Sequence, residues 1–266
     1  MIWNSLNVNL VEKPSLPEGS PVFADWWETR RDQVHTDALK NPRFFNGPSV
    51  AIIGVEPDET GEQVTVTWTL SDYVNLLTVL ETSEENLPAG LNRPFWSLCS
   101  GMSIITPLAC ADGPIWARRS QEVNTGRGRW LCTVAEGSEV EDIRGRCWST
   151  TARRSIKEEL GFENLTTNGA FLHVGVRKEA GFPKNLTHAR WWLPSYSPLS
   201  FCDVEKSWLD AEDNWENDAL HLGESPPSAF NYPVPDLAAA ALRSGREQHV
   251  RRSVSAPHQT SGLQAA

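Results

Sequence analysis

The chain is poor in cysteine and histidine pairs, short of positive charge and without a long apolar run. Its five cysteines, Cys99, Cys110, Cys132, Cys147 and Cys202, are odd in number and never form a C-x-x-C pair. This argues against a disulfide framework or a thiolate zinc site and predicts reduced, mostly buried thiols. His35, His173, His188, His221, His249 and His258 make no H-x-x-x-H pair, so imidazole zinc spacing is lacking as well. Lys+Arg 24 against Asp+Glu 34 leaves a formal charge of -10. No basic footprint for nucleic acid results, and an anionic membrane is not an attractive partner. Apolar runs stop well short of the roughly 18 residues of a membrane span, and Met1 to Ser15 has neither the basic nor the apolar region of a secretory leader. The expected compartment is the cytoplasm, and the glycosylation patterns at Asn164 and Asn185 then read as chance. Nucleophile elbow, P-loop and dinucleotide fingerprint are absent too.

What is present describes a globular protein. The 266 residues, 39% hydrophobic with 12 Trp, suffice for a sizeable core without help from metals or disulfides. Residues 1–94 read as an extension packed on the core. It holds a helix from Phe23 to Leu39 with Trp26, Trp27 and Arg30 as a packing face, strands at Val50–Val55 and around Val64, Val66 and Trp68, and a short helix from Ser71 to Leu80. Polar residues from Glu81 to Arg93 mark a linker. Residues 95–250 form a second unit. In it, a strand Met102–Ala109 turns at Asp112-Gly113 and returns at Pro114–Arg118, a strand follows at Trp130–Val134, and further strands lie at Gly169–Arg177 and Thr187–Leu193. The four consecutive alanines within Asp236–Gln248 suggest a terminal helix, and residues 251–266 a disordered tail. The turn Thr125-Gly126-Arg127-Gly128 is too short to predict a phosphate cradle.

Chemistry concentrates in the segment Arg153–Phe162. Thr150 or Thr151 can cap a helix that ends at Gly161, with Ala152, Ile156 and Leu160 facing the core. Ser155, Glu158 and Glu159 then share the opposite face. Adjacent carboxylates usually form a solvated face, but they can also hold a hard divalent cation that keeps positions open for water and phosphate. Arg154 stands one turn before Glu158 and can orient it.

The pattern Arg154-x-Ile156-x-Glu158-Glu159-x-Gly161-Phe162 resembles the second half of the Nudix box, R-E-U-x-E-E-x-G-U with U apolar, at every position but one. Before it, the hairpin at Asp112-Gly113 with Arg118-Arg119 and then Trp130-Leu-x-Thr-Val-Ala-Glu-Gly137, and after it Asp213-Asn214-Trp215-Glu216, are similar to neighbouring elements of that superfamily. The resemblance implies an α+β fold, a mixed-sheet α/β/α sandwich carrying the hairpin and helix extension. It also implies Mg²⁺ or Mn²⁺ on Glu158 and Glu159, and a phosphorylated small molecule met by Arg118 and Arg119. Two departures stand out. Counting back from Arg154, the first box Gly falls at Val140 and the first Glu at Arg146, whereas starting at Gly137 requires a short insertion. The glutamate that often binds metal and activates water is Ser155, whose hydroxyl brings neither charge nor a useful pKa.

The resemblance therefore moves the base outside the helix. Glu136 and Glu216 are the preferred candidates, with Glu139, Glu141 and Asp142 also available. Phe44-Phe45-Asn46-Gly47 and Ser71-Asp72-Tyr73 add a short likeness to Nudix relatives that act on UDP-sugars. The implied activity is Mg²⁺-dependent attack of water on a nucleoside diphosphate derivative, with a nucleotide sugar among the candidates. The alternative is a catalytically silent nucleotide-sensing or protein-interaction module, and either reading leaves room for a homodimer. On a silent relative, Ser155→Glu is expected to restore the lost carboxylate. Trp116, Trp130 and Trp148 are core residues or stacking platforms for a base.

Overall fold

The computed structural model describes residues 1–13, 21–42, 44, 46–82, 102–123, 126–177 and 186–228. The linker beyond Thr82, the start of the second unit near Phe95, Cys99, Thr125, Asn185, the helix expected at Asp236–Gln248 and the tail lie outside the described residues. No helix among them is long and apolar enough to cross a membrane.

The fold is α+β with mixed sheets. Strands β1 (Ile2–Asn4), β2 (Val8–Glu12), β3 (Pro48–Pro57) and β4 (Val64–Asp72) accompany helices α1 (Pro21–Ala38) and α2 (Tyr73–Glu81). The rest contains β5 (Met102–Thr106), β6 (Leu108–Ala109), β7 (Pro114–Arg119), β8 (Trp130–Leu131) and β9 (Val134–Gly137), then helices α3 (Val140–Gly145) and α4 (Trp148–Leu160). It closes with β10 (Thr166–Thr167), β11 (Phe171–Arg177), β12 (Leu186–Trp192), β13 (Ser195–Tyr196), α5 (Phe201–Leu209) and β14 (Asn217–Leu222).

One sheet runs β1-β11-β12-β5-β9, a second β10-β13-β6-β7-β14 with β8 also on β7, and a third β2-β4-β3. Pairing is parallel between β12 and β5, β13 and β6, and β2 and β4, and antiparallel elsewhere. At three places the chain crosses between the first and second of these sheets within one or two residues. Pro107 splits the expected strand Met102–Ala109, because a proline cannot donate to a ladder. Pro194 does the same between β12 and β13. Thr133 breaks the expected strand Trp130–Val134 by taking φ +93°, an unusual value for a β-branched residue. Its buried hydroxyl compensates by accepting from the Leu108 amide at 3.1 Å and donating to the Ile115 carbonyl at 2.8 Å.

The three-stranded sheet belongs to the amino-terminal residues, as its alternation predicts: Val64, Val66 and Trp68 are buried. The first strand does not stay with it. β1 pairs with β11 in the five-stranded sheet, and the Trp3 indole donates to the Gly61 carbonyl at 2.9 Å. Arg30 of α1 reaches the end of α2 at Thr82 and Glu81. The cap of α2 is Asp72 rather than Ser71: its carboxylate accepts from the Asn75 amide at 2.9 Å and pairs with Arg31 at 2.6 Å. Asn46 accepts from the Val74 amide, and the Phe44 ring stacks on Tyr73, so Phe44, Asn46 and Tyr73 form the joint at the start of α2.

Helix α4 packs its apolar stripe into the main core, where Ala152, Ile156 and Leu160 are all fully buried. Its cap differs from expectation. Cys147 precedes the first turn, while the Thr151 hydroxyl donates to Asp142 at 2.8 Å. Gly161 ends the helix at φ +78°, and a Cβ there would stand 2.4 Å from the Ser207 carbonyl oxygen of α5. Glycine thus serves both the turn and the close approach of two helices. Trp116 and Trp130 are buried and Trp148 packs on Trp191, their ring centroids 4.1 Å apart, so these three are core residues. Cys110 and Cys132 are buried free thiols as expected, but Cys147 and Cys202 are exposed because each lies at a helix start that faces solvent. Burial pushes the Cys132 thiol up to about 12.

Candidate functional site

The polar face of α4 looks onto β9, α3 and the start of β14. This places four of the sequence candidates, Glu136, Glu158, Glu159 and Glu216, around two guanidiniums. Glu136 lies opposite Ile104 in the β5–β9 ladder, so its side chain leaves the sheet on the side of α4. There it accepts from Arg154 Nη2 at 3.0 Å and meets the Ser155 hydroxyl in a very short hydrogen bond. Burial pushes its pKa up to about 7, against the opposing pull of Arg154 and Ser155.

Arg154 is the hub of this half of the site. Asp142, buried on α3, receives it at 2.9 Å, and Glu139 at 2.6 Å. Asp142 also accepts the Glu139 amide at 3.0 Å in the capping box that starts α3, which explains why so short a helix stands. Neither box register counted from the sequence identifies this pairing. Asp142 was one carboxylate among several before the helix, and the signal that singles it out is its place three residues after the Glu139 cap.

The other half centres on Glu159. Its side chain is buried, and Oε2 accepts from Asn217 Nδ2 at 2.7 Å. Burial first, and then the charge of Glu216, hold its pKa well above the ordinary carboxylate range. Glu216, on the 3-10 turn Asn214–Glu216, binds Arg119 at 2.6 Å. Burial alone would lower the Arg119 pKa, yet Glu216 and Glu159 beside it raise it. Asn217 Oδ1 is buried and has no hydrogen-bond partner among the described residues. Glu158, half-exposed, lies 4.0 Å from Arg154, and burial together with Glu139 and Asp213 raises its pKa.

Two expected phosphate contacts are already engaged. Arg119 is committed to Glu216, while Arg118 points to the other face of β7, bonded to Asp218 at 2.6 Å and lying over the Trp130 ring. Alternation along the strand separates the pair, which their adjacency in sequence conceals. Six carboxylates, Glu136, Glu139, Asp142, Glu158, Glu159 and Glu216, therefore face the two guanidiniums Arg119 and Arg154. Such an excess of carboxyl groups over guanidiniums suits a cation, and a buried amide oxygen at Asn217 is a hard donor of the type Mg²⁺ accepts. Among the described residues, however, no group of three or more His, Cys, Asp or Glu is already gathered about one metal position.

No family model and no curated relative matches the chain. Among solved structures it is similar to a Deinococcus radiodurans protein, with 14% identity over 37% of this chain and 57% of the other and a TM-score of 0.24. A second is a protein of Chromobacterium violaceum named as a candidate Nudix hydrolase family member, with 14% identity over 63% of this chain and 91% of the other and a TM-score of 0.25. The chain thus spans little more than half the length of the first. Likeness at this level carries no argument about activity.

Proposed function

We propose that the chain is a Mg²⁺-dependent hydrolase of a nucleoside diphosphate derivative, with Glu136 as the general base. The observation that carries this reading is the contact between Glu136 and Ser155. Where the resembled box has a glutamate on the helix, this chain has a small hydroxyl, and a carboxylate from the neighbouring strand fills the space beside it. A base is required to be ionised in part at neutral pH and to hold a proton once it has taken one, and a value near 7 meets both needs.

Glu158 and Glu159 would hold the cation, with Asn217 Oδ1 as a further oxygen donor. When bound, Mg²⁺, or Mn²⁺ in its place, polarises a phosphoryl oxygen and makes a bound water more acidic. Glu136 accepts the proton of the attacking water. Arg154 keeps Glu136 in place and balances its charge, and Asp142 and Glu139 hold Arg154 in turn. Glu216 is less suited to the base role because its ion pair with Arg119, at 2.6 Å, is closer than the 3.0 Å pair of Glu136 with Arg154.

The finer reading, a nucleotide sugar, draws support from a cavity of about 630 Å³ between the amino-terminal helices and the β7–β8 loop. Asp37, Lys40, Asn41, Glu81 and Arg127 line it with donors and acceptors suited to a hydroxyl-rich group. Tyr73 lies on the same face of α2 as the lining residues Leu77 and Glu81.

One observation favours the second reading, a binding module without turnover: Glu159 already has Asn217 as a partner. Turnover of a nucleoside diphosphate panel with Mg²⁺ separates the two. Glu136→Gln should lower kcat by roughly 10²–10⁴-fold. Titration calorimetry should show Mg²⁺ affinity falling sharply in Glu159→Gln and unchanged in Glu163→Gln, whose parent side chain pairs with Lys157 at the surface. A wild-type protein inactive on the whole panel would leave only the binding role.

A further inference from the structure

We infer that Ser155 is a positioning residue that, with Arg154, fixes one oxygen of Glu136 and thereby leaves the other oxygen to take the proton. The inference rests on Glu136 being the base. Arg154 Nη2 and Ser155 Oγ both bind Oε1 of Glu136, whereas Oε2 accepts no hydrogen bond among the described residues. A carboxylate held at one oxygen from two directions has lost most of its freedom to turn, so the lone pairs of Oε2 have a set direction.

Ser155 is itself fixed. It is 1% exposed, and its Oγ also lies 3.0 Å from the Thr151 carbonyl, so its single proton lies between two acceptors, of which the Glu136 carboxylate is the nearer. Thr151 Oγ1 donates to Asp142 Oδ1 at 2.8 Å, and Asp142 receives Arg154 at 2.9 and 3.3 Å. Glu136, Ser155, Thr151, Asp142 and Arg154 thus close a ring that joins β9, α3 and α4. In the chemical step the proton of the attacking water moves to Oε2 of Glu136. No bond of Ser155 is made or broken.

The same geometry revises the expectation for Ser155→Glu. A glutamate at this buried position would bring a second carboxylate into the space that Oε1 occupies, repelling Glu136 rather than repairing a loss. The small side chain at 155 and the carboxylate at 136 are one arrangement.

The test compares wild type and Ser155→Ala, a substitution that removes one oxygen and leaves the packing intact, using UDP-glucose and ADP-ribose with Mg²⁺. The expected result is kcat lower by about tenfold, with KM and the Mg²⁺ affinity measured by calorimetry close to wild type and Tm lowered by no more than about 4 °C, the cost of one buried hydrogen bond. A crystal structure of the variant should show the Glu136 carboxylate turned from its wild-type plane. Equal kcat in the two proteins overturns the inference, as does a fall in kcat matched by weaker Mg²⁺ binding or by a loss of Tm well beyond about 4 °C. A wild type inactive on both probes and on the wider panel removes the base assignment itself, a different failure from an active wild type indifferent to Ser155.

Discussion

Arg119 and Glu216 form a largely buried ion pair at 2.6 Å with the Glu159 carboxylate in its field. Among the described residues each of these charges finds its only salt-bridge partner in the other, and breaking the pair from one side leaves a carboxylate that Glu159 already repels. Arg119→Met should therefore destabilise the fold by about 3–5 kcal/mol, whereas Arg119→Met with Glu216→Leu should recover most of that loss. Denaturant melts of the single and double variants check this.

The orientation of α4 makes a second prediction. Ile156 is fully buried and Glu158 keeps 40% of its side-chain exposure. Ile156→Ala should cost about 2–5 kcal/mol by leaving a cavity, and Glu158→Ala less than about 0.5 kcal/mol. Similar, small losses would mean that the helix faces another way.

Acidity provides a third. Burial raises the pKa of Glu136 from 4.5 to about 7, and those of Glu158 and Glu159 are raised too. Between these limits the folded chain holds protons that the unfolded chain has released, so the contribution of Glu136 to stability falls as pH rises from about 4.5 to about 7. Exposed carboxylates such as Glu12 and Asp203 shift downward and titrate below this window. Tm should drop across it, and Mg²⁺ should raise Tm at pH 7.5 far more than at pH 5. Thermal melts at the two pH values, with Mg²⁺ or EDTA, check both. The rate of hydrolysis should rise with pH through about 7.

The cap of α2 makes a fourth. Asp72 binds both the Asn75 amide and Arg31, while Ser71 only accepts from the Asn75 side chain at 3.2 Å. Asp72→Ala should cost about 1–2 kcal/mol and Ser71→Ala less than about 0.5 kcal/mol, as read from chemical melts.

Local patterns in the chain carry part of this fold, and contacts at long range carry the rest. The stripe Ala152, Ile156 and Leu160 with Gly161 after it could be read because periodicity and a left-handed stop are local properties of the chain. The alternation Val64, Val66, Trp68 is local in the same sense. Helix starts were harder: Thr150, Thr151 and Ser71 are good cap types, but a tertiary partner claimed the Thr151 hydroxyl and the next residue took the place of Ser71. The break at Thr133 has no sequence signal, since threonine rarely adopts positive φ and does so here only because its hydroxyl bonds two other strands. Glu136 and Glu216 could be nominated by their place in a resembled order. That one meets Ser155 and the other Arg119 depends on contacts between residues far apart in the chain, 19 and 97 positions respectively.

Pro107, Thr133 and Pro194 send three segments of chain from one sheet into the other. A sheet that shares its strands with its neighbour cannot melt by itself, because opening either one pulls on backbone that also belongs to the second. The two sheets accordingly form a single cooperative unit, and amides as far apart as Ile104 in one and Ala117 in the other should exchange with solvent through the same opening and with the same free energy. The carboxylate of Glu136, three residues beyond the Thr133 crossing, is thereby anchored to backbone that ties the two sheets together.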